Sequence, residues 1–334
     1  MKKGSSNKAF QAPALTACQF IGKSHQKKRM PCQDAYAIGY GDNGLVVLAI
    51  ADGVSSSPHS ELAAQTAVSA VIEFWKDFHT YFAVEEVICT ALQACMNYAL
   101  RKVDDINIEK TEPFAYETTL SIVLIQAGKS IHYINAGDSS IYILTDREEV
   151  MLLDQQMRHD DGSVYALSSG PSHWVTGNMP STGIKAVLLV TDGVSDAIQT
   201  NSKDFTLAKS FMQKTDSNSA YQAVCESVLS QKCFQSMDDD ATFLLYHMPE
   251  NPSTPADPIT IIHGNRSSSL PYGSSAHYVS NTKKQRIRHR NNTSHPDKQM
   301  PWNSSSDTSV DTIKPDLHNA ITSFMRILFK KSKM

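Results

Sequence analysis

One short pattern occurs twice in this chain, each time at the same kind of place. The apolar run Leu-Val-Val-Leu-Ala-Ile-Ala at 45–51 leads into Asp52-Gly53-Val54-Ser55, and a second run at 186–190 leads through Thr191 into Asp192-Gly193-Val194-Ser195. Unbroken apolar runs of this length predict strands buried on both faces. An Asp-Gly pair behind a strand is ordinarily a type I′ hairpin turn. Here the residues after Asp52 have helical spacing, and those after Asp192 lack strand alternation, so no strand returns. Both exits therefore place a carboxylate at the tip of a buried strand, with sharply turning backbone behind it.

Three further acids occupy comparable positions. Asp34 opens the strand expected at 35–40, Asp138 lies between two strands of a meander, and Asp238-Asp239-Asp240 leads directly into the last strand. Taken singly, each is a turn former or a helix cap. As a set, carboxylates gathered near a core repel one another and lose hydration unless cations neutralise them. Oxygen-only ligands favour magnesium or manganese over zinc. Two such ions about 4 Å apart can ionise a bridging water and stabilise in-line displacement at phosphorus.

The pattern along the chain predicts an α+β fold: a four-layer α-β-β-α sandwich with two central antiparallel sheets. Helices are expected at 61–78 and 84–103, with a meander of strands at 118–126, 130–136, 140–145 and 149–154. A polar, glycine-rich stretch follows to 183, within which residues 158–180 are expected as a loop over a cleft. A strand at 186–190, a helix at 221–230 and a closing strand at 241–248 complete the body. Strands in runs with helices in separate pairs favour this layering over a doubly wound parallel sheet.

The 334 residues, 41% hydrophobic, suffice for an enzyme-sized core. From Glu250 onward there are 12 Lys+Arg against 6 Asp+Glu, whereas the rest of the chain carries 19 against 28. The expected division is an N-terminal tail (1–12), a catalytic body (13–249), a disordered basic linker (250–311) and an amphipathic C-terminal helix (312–334). In that helix Leu317, Ala320, Ile321, Phe324 and Leu328 share one face, which would dock on a partner protein or an anionic membrane surface. The basic cluster at 283–290 has no interleaved aromatics, so nucleic acid is not the expected partner. Six cysteines lack zinc-type spacing, and neither a secretory leader nor an 18-residue apolar run is evident, so a cytoplasmic, monomeric protein is expected.

The ordered motifs Gln33-Asp34-Ala35, Ala51-Asp52-Gly53, Thr118-Thr119, Gly137-Asp138-Ser139, Thr191-Asp192-Gly193 and Asp239-Asp240-Ala241-Thr242 resemble those of the type 2C, metal-dependent protein phosphatases, particularly compact bacterial members. The resemblance implies hydrolysis of phosphoserine or phosphothreonine in proteins by a water held between two manganese or magnesium ions, with no phosphoenzyme. It implies that Asp52 bridges both ions with the Gly53 carbonyl as a further ligand. Asp192 and Asp239 would complete one site and Asp34 would serve the other, while Asp138 and the final aspartate would hold a weaker third ion. Arg29 stands where relatives place a phosphate-gripping arginine, and His25 is a further candidate for that role. Two departures stand out: Gln33 replaces a glutamate ligand of some relatives, and Val54 replaces a histidine thought to protonate the leaving group. His59 is the nearest substitute for that histidine. These departures keep open a second reading, a weak or inactive phosphatase-like scaffold, and histidine-free acids argue against other two-metal hydrolases such as nucleases.

Overall fold

The computed structural model describes residues 15–41, 45–79, 82, 85–107, 114–154, 158–198, 204–214, 238–249, 262–264 and 275–279. Its strands form two antiparallel sheets. One runs in the order β12 (Ser275–Val279), β1 (Leu15–Phe20), β10 (Ala241–His247), β9 (Ile184–Val190), β6 (Ser140–Thr145), β7 (Val150–Leu152). The other runs β11 (Ile262–Gly264), β2 (Ala35–Tyr40), β3 (Leu45–Ala51), β4 (Leu120–Gln126), β5 (Ser130–Ala136), β8 (Val175–Pro180).

The sheets pack face to face. Ile38, Leu48, Ile50, Val123 and Ile125 of one sheet share a buried cluster with Leu15, Ile141, Val187, Leu189 and Leu244 of the other. The outer face of the β1–β10–β9–β6 sheet is covered by α4 (Asp192–Ile198) and α5 (Thr206–Lys214), with Val194, Ile198, Phe211 and Met212 packing on Phe20, Leu188 and Phe243. The opposite outer face is covered by α2 (Ser60–Phe78) and α3 (Ile88–Ile106), which pack on β2, β3 and β5. Buried alanines at 63, 64, 67 and 70 mark the covered stripe of α2. The unbroken apolar runs in β3 and β9 reflect this layering, since each strand has a protein layer on both faces.

Antiparallel pairing decides where the acids go. In register, Ala35 faces Ala51, Leu120 faces Ala136, Ser140 faces Val190, and Phe20 faces Ala241. The start of β2, the end of β3, the end of β5, the start of β6, the end of β9 and the start of β10 consequently share one rim of the sandwich. Asp34, Asp52, Asp138, Asp192 and Asp239-Asp240 each lie within three residues of those strand ends. At Gly137 the chain leaves one sheet for the other with φ of +115°, a conformation suited to glycine, and a Cβ there would meet Thr119 at 2.5 Å.

Several expectations are revised. Residues 175–180 are not part of a loop but the edge strand β8, pairing with β5. Its alternating, half-exposed residues carry little apolar signal, and an edge position needs little. Two short strands, β11 and β12, lie inside the stretch expected as linker and extend the sheets beside β2 and β1 through backbone pairing. Between β1 and Asp34, where no element was expected, the chain forms a short helix, α1 (Lys23–Lys28), held by its anchorage to the loop before β10. The helix expected at 221–230 and the terminal helix at 312–334 lie outside the described residues. Leu48 is fully buried between the sheets, so Leu48→Ala should lower unfolding free energy by about 2–5 kcal/mol in denaturant titration.

Candidate metal centre

Asp52, Asp138 and Asp192 each bring one carboxylate oxygen to a common point, all within 4.8 Å of one another. Each acid is held by its own backbone clamp. The Asp52 amide donates to Thr119 Oγ1 at 2.9 Å, while the Thr119 amide and the Thr118 hydroxyl both donate to the Asp52 carbonyl. The Thr118-Thr119 pair thus fixes the exit of β3 from across the sheet. Asp192 opens α4, and the Thr191 just before it exchanges hydrogen bonds with Thr242 of β10. The turn carrying Asp138 is tied down by Asn135, whose Nδ2 donates to the Ser139 carbonyl at 3.0 Å and to Asp154 Oδ2 at 2.6 Å.

The glycines behind Asp52 and Asp192 are needed for space rather than for a turn. Neither has a positive φ. A Cβ on Gly53 would lie 2.8 Å from the Gln33 carbonyl oxygen and the Ser60 backbone, and one on Gly193 would lie 2.0 Å from the Asp240 carbonyl oxygen. The repeated Asp-Gly signals close chain approach at the rim.

Asp34 is almost fully buried beside this group, and Thr191 Oγ1 donates to its Oδ2 at 2.9 Å. Asp239 is exposed, its Oδ1 accepts the next backbone amide, and it stands outside the 4.8 Å cluster, though its charge acts on Asp138 and Asp192. The buried member of that acidic run is Asp240. Its carboxylate accepts the Gly22 amide at 2.7 Å and the Gln33 amide at 2.6 Å. His25 Nδ1 lies 2.9 Å from Asp240 Oδ2, with the His25 ring buried. The structure thus places His25 inside the fold against Asp240. Arg29 caps α1 in the left-handed conformation, exposed, with no ion pair among the described residues. His59 opens α2 with its ring against Tyr116, 4.8 Å between centroids.

Sequence reasoning did not find Arg158. Its guanidinium pairs closely with Asp138 and lies 3.7 Å from Asp192 Oδ2. No motif marks it, because it reaches the acids from a loop whose course only tertiary structure sets. The clamp formed by Asp240 was likewise hidden, since three adjacent aspartates look equivalent in sequence.

Burial first, and neighbouring charge second, raises the proton affinity of Asp34, Asp52, Asp138 and Asp192. Burial, then the charges of Asp34, Asp192 and Asp138, hold the Asp52 carboxyl well above the usual carboxylate range. Burial and Asp240 do the same for Asp34. Burial and Asp138 lift Asp192 to about 6, and burial lifts Asp138 despite the opposing effect of Arg158. Three acceptor oxygens in this region, Asp34 Oδ1, Asp192 Oδ1 and Gln33 Oε1, are buried without a hydrogen-bond donor. Ionised carboxylates accept only, so a hard cation satisfies what neighbouring side chains leave open. The residues fit divalent oxygen-ligated ions.

A folded-state value near 6 for Asp192, against an ordinary 3.8, means the folded protein keeps a proton that the unfolded chain releases. Stability in chelator should therefore fall as pH rises from about 4 to about 6, and Asp192→Asn should flatten this slope. At pH 7 the metal-free variant should be the more stable, by on the order of 2 kcal/mol in denaturant titration.

The profile described as protein phosphatase 2C matches residues 21–230. Among solved structures, a point variant of a bacterial serine phosphatase is 15% identical with a TM-score of 0.59, covering 71% of this chain and 98% of its own. The serine/threonine phosphatase Stp1 from Staphylococcus aureus is 14% identical with a TM-score of 0.55, covering 74% and 99%. The catalytic domain of the serine/threonine protein phosphatase PstP, solved in complex with 2 manganese ions, is 18% identical with a TM-score of 0.51, covering 71% and 99%. No curated protein matches. The profile match spans well over half the chain, and the two-sheet sandwich agrees with it: the chain belongs to the protein phosphatase 2C family.

Proposed function

We propose that this protein is a metal-dependent protein serine/threonine phosphatase whose catalytic unit is residues 13–249. The observation that carries the reading is the convergence of Asp52, Asp138 and Asp192 on one point, with unsatisfied oxygens on Asp34, Asp192 and Gln33 in the same region. Asp52, with Asp34 on one side and Asp192 on the other, would hold two manganese or magnesium ions, with Asp239 and the Gly53 carbonyl as further donors. Asp138 would serve a weaker third. Bound there, the ions would supply an ionised water and neutralise charge on the phosphoryl group.

The chain's own residues do the rest. Arg29, exposed and without an ion pair among the described residues, offers a two-pronged guanidinium to the phosphoryl oxygens. A water oxygen attacks phosphorus in line, and the ester P–O bond breaks. The serine or threonine oxygen leaves with a proton, and inorganic phosphate is the second product. Val54 lacks a proton to give and the His59 ring packs on Tyr116, so the leaving-group proton comes from water. Among the described residues no helix is long and apolar enough to cross a membrane, and Cys18, Cys32, Cys89 and Cys95 are free thiols. A reducing, cytoplasmic setting and an accessory role for the terminal segment belong to the same proposal.

Purified protein should release phosphate from para-nitrophenyl phosphate and a phosphothreonine peptide only with manganese or magnesium. Asp192→Asn should lower turnover at least about a hundredfold, since it removes a direct ligand. Absence of turnover with either metal in folded protein would favour a binding scaffold.

A further inference from the structure

Arg158 reaches the acid cluster from a loop built to hold it. The backbone closes on itself through a bridge between Arg158 and Val164, with the His159 amide donating to Ser163 at 2.8 Å and the Gly162 amide to His159 at 2.9 Å. Gly162 turns with φ of +84°, and Arg158 Nη1 donates to its carbonyl at 2.9 Å. Asp161 Oδ1 accepts both the amide and the hydroxyl of Ser163. Below the turn, the His159, Tyr165 and His173 rings form a continuous stack, with centroids 3.6 and 4.2 Å apart. The base is fastened to the centre itself, because the Leu167 amide donates to the Thr118 carbonyl at 2.8 Å and Thr118 clamps Asp52.

This delivery leaves Nη2 close against Asp138 Oδ2 and 3.7 Å from Asp192 Oδ2. Those are two of the three carboxylates that share a point with Asp52. A guanidinium there neutralises the same charge that a divalent ion would, and uses oxygens that the ion would need. We propose that Arg158 is a tethered cation that competes with divalent metal for the Asp138–Asp192 pair and so sets how readily that end of the centre fills. The inference rests on the metal-centre reading above and adds to it a residue of this chain that lowers metal affinity. Competition is reciprocal, so an ion bound at the pair releases the arginine. Arg158 is a positioning residue in this account, acting through the carboxylates.

The test is manganese binding to the full chain, followed by calorimetry and by the electron paramagnetic resonance signal of free manganese. The side chain is 41% exposed, so Arg158→Gln should fold normally by circular dichroism. Arg158→Gln should tighten the weakest manganese site roughly tenfold, in line with the loss of a charged hydrogen-bonding competitor. Arg158→Lys should fall between the two, and adding Asp138→Asn to Arg158→Gln should abolish the gain. Unchanged or weaker manganese binding in Arg158→Gln, with the other sites filling as in the parent, would overturn the competition alone. Failure of the parent and all variants to bind manganese would overturn the competition together with the metal-centre reading.

Discussion

The burial and crowding of Asp34, Asp52, Asp138 and Asp192 govern the design of this end of the molecule. Burial, reinforced by the charge of neighbouring carboxylates, raises the proton affinity of all four, so holding them ionised at neutral pH without a cation is unfavourable. By contrast, the buried Asp154 carboxylate is satisfied locally, accepting from Asn135 and the Ile141 amide. At the rim the oxygens of Asp34 and Asp192 keep unsatisfied lone pairs, and Arg158 neutralises only the outer two acids. Divalent cations are the partners proposed for this arrangement.

The architecture makes the crowding possible. A pair of antiparallel sheets packed face to face brings alternate strand ends to one rim, and the β5–β6 connection crosses between the sheets there. Backbone clamps then hold each acid against the repulsion of the others: Thr118 and Thr119 on Asp52, Thr242 on Thr191, Asn135 on the Asp138 turn. Asp240 ties the β1–α1 junction and the approach to β2 onto the loop before β10. The glycines after Asp52 and Asp192 let these segments touch.

Much of this was legible in the sequence, for physical reasons that particular residues show. Apolar runs buried on both faces announced β3 and β9, and their shared Asp-Gly exits announced the rim. Apolar-rich segments bounded by Gly128, Gly137-Asp138 and Asp146 placed β4, β5 and β6 within two residues. What escaped were features fixed by tertiary contact. The edge strand β8 and the short strands β11 and β12 draw on backbone pairing more than on a pattern of side chains. The choice between Asp239 at the surface and Asp240 in the interior depends on which carboxyl meets the amides of Gly22 and Gln33. The pairing of His25 with Asp240, and the reach of Arg158, follow from the same kind of long-range placement.

The proposed function depends on the rim acids holding two ions around Asp52. The most direct measurement is anomalous diffraction at the manganese edge from crystals grown with manganese. Two strong peaks are expected to flank the Asp52 carboxylate, one toward Asp34 and one toward Asp192. Peaks confined to other surface acids, or an empty rim at saturating manganese, would contradict it.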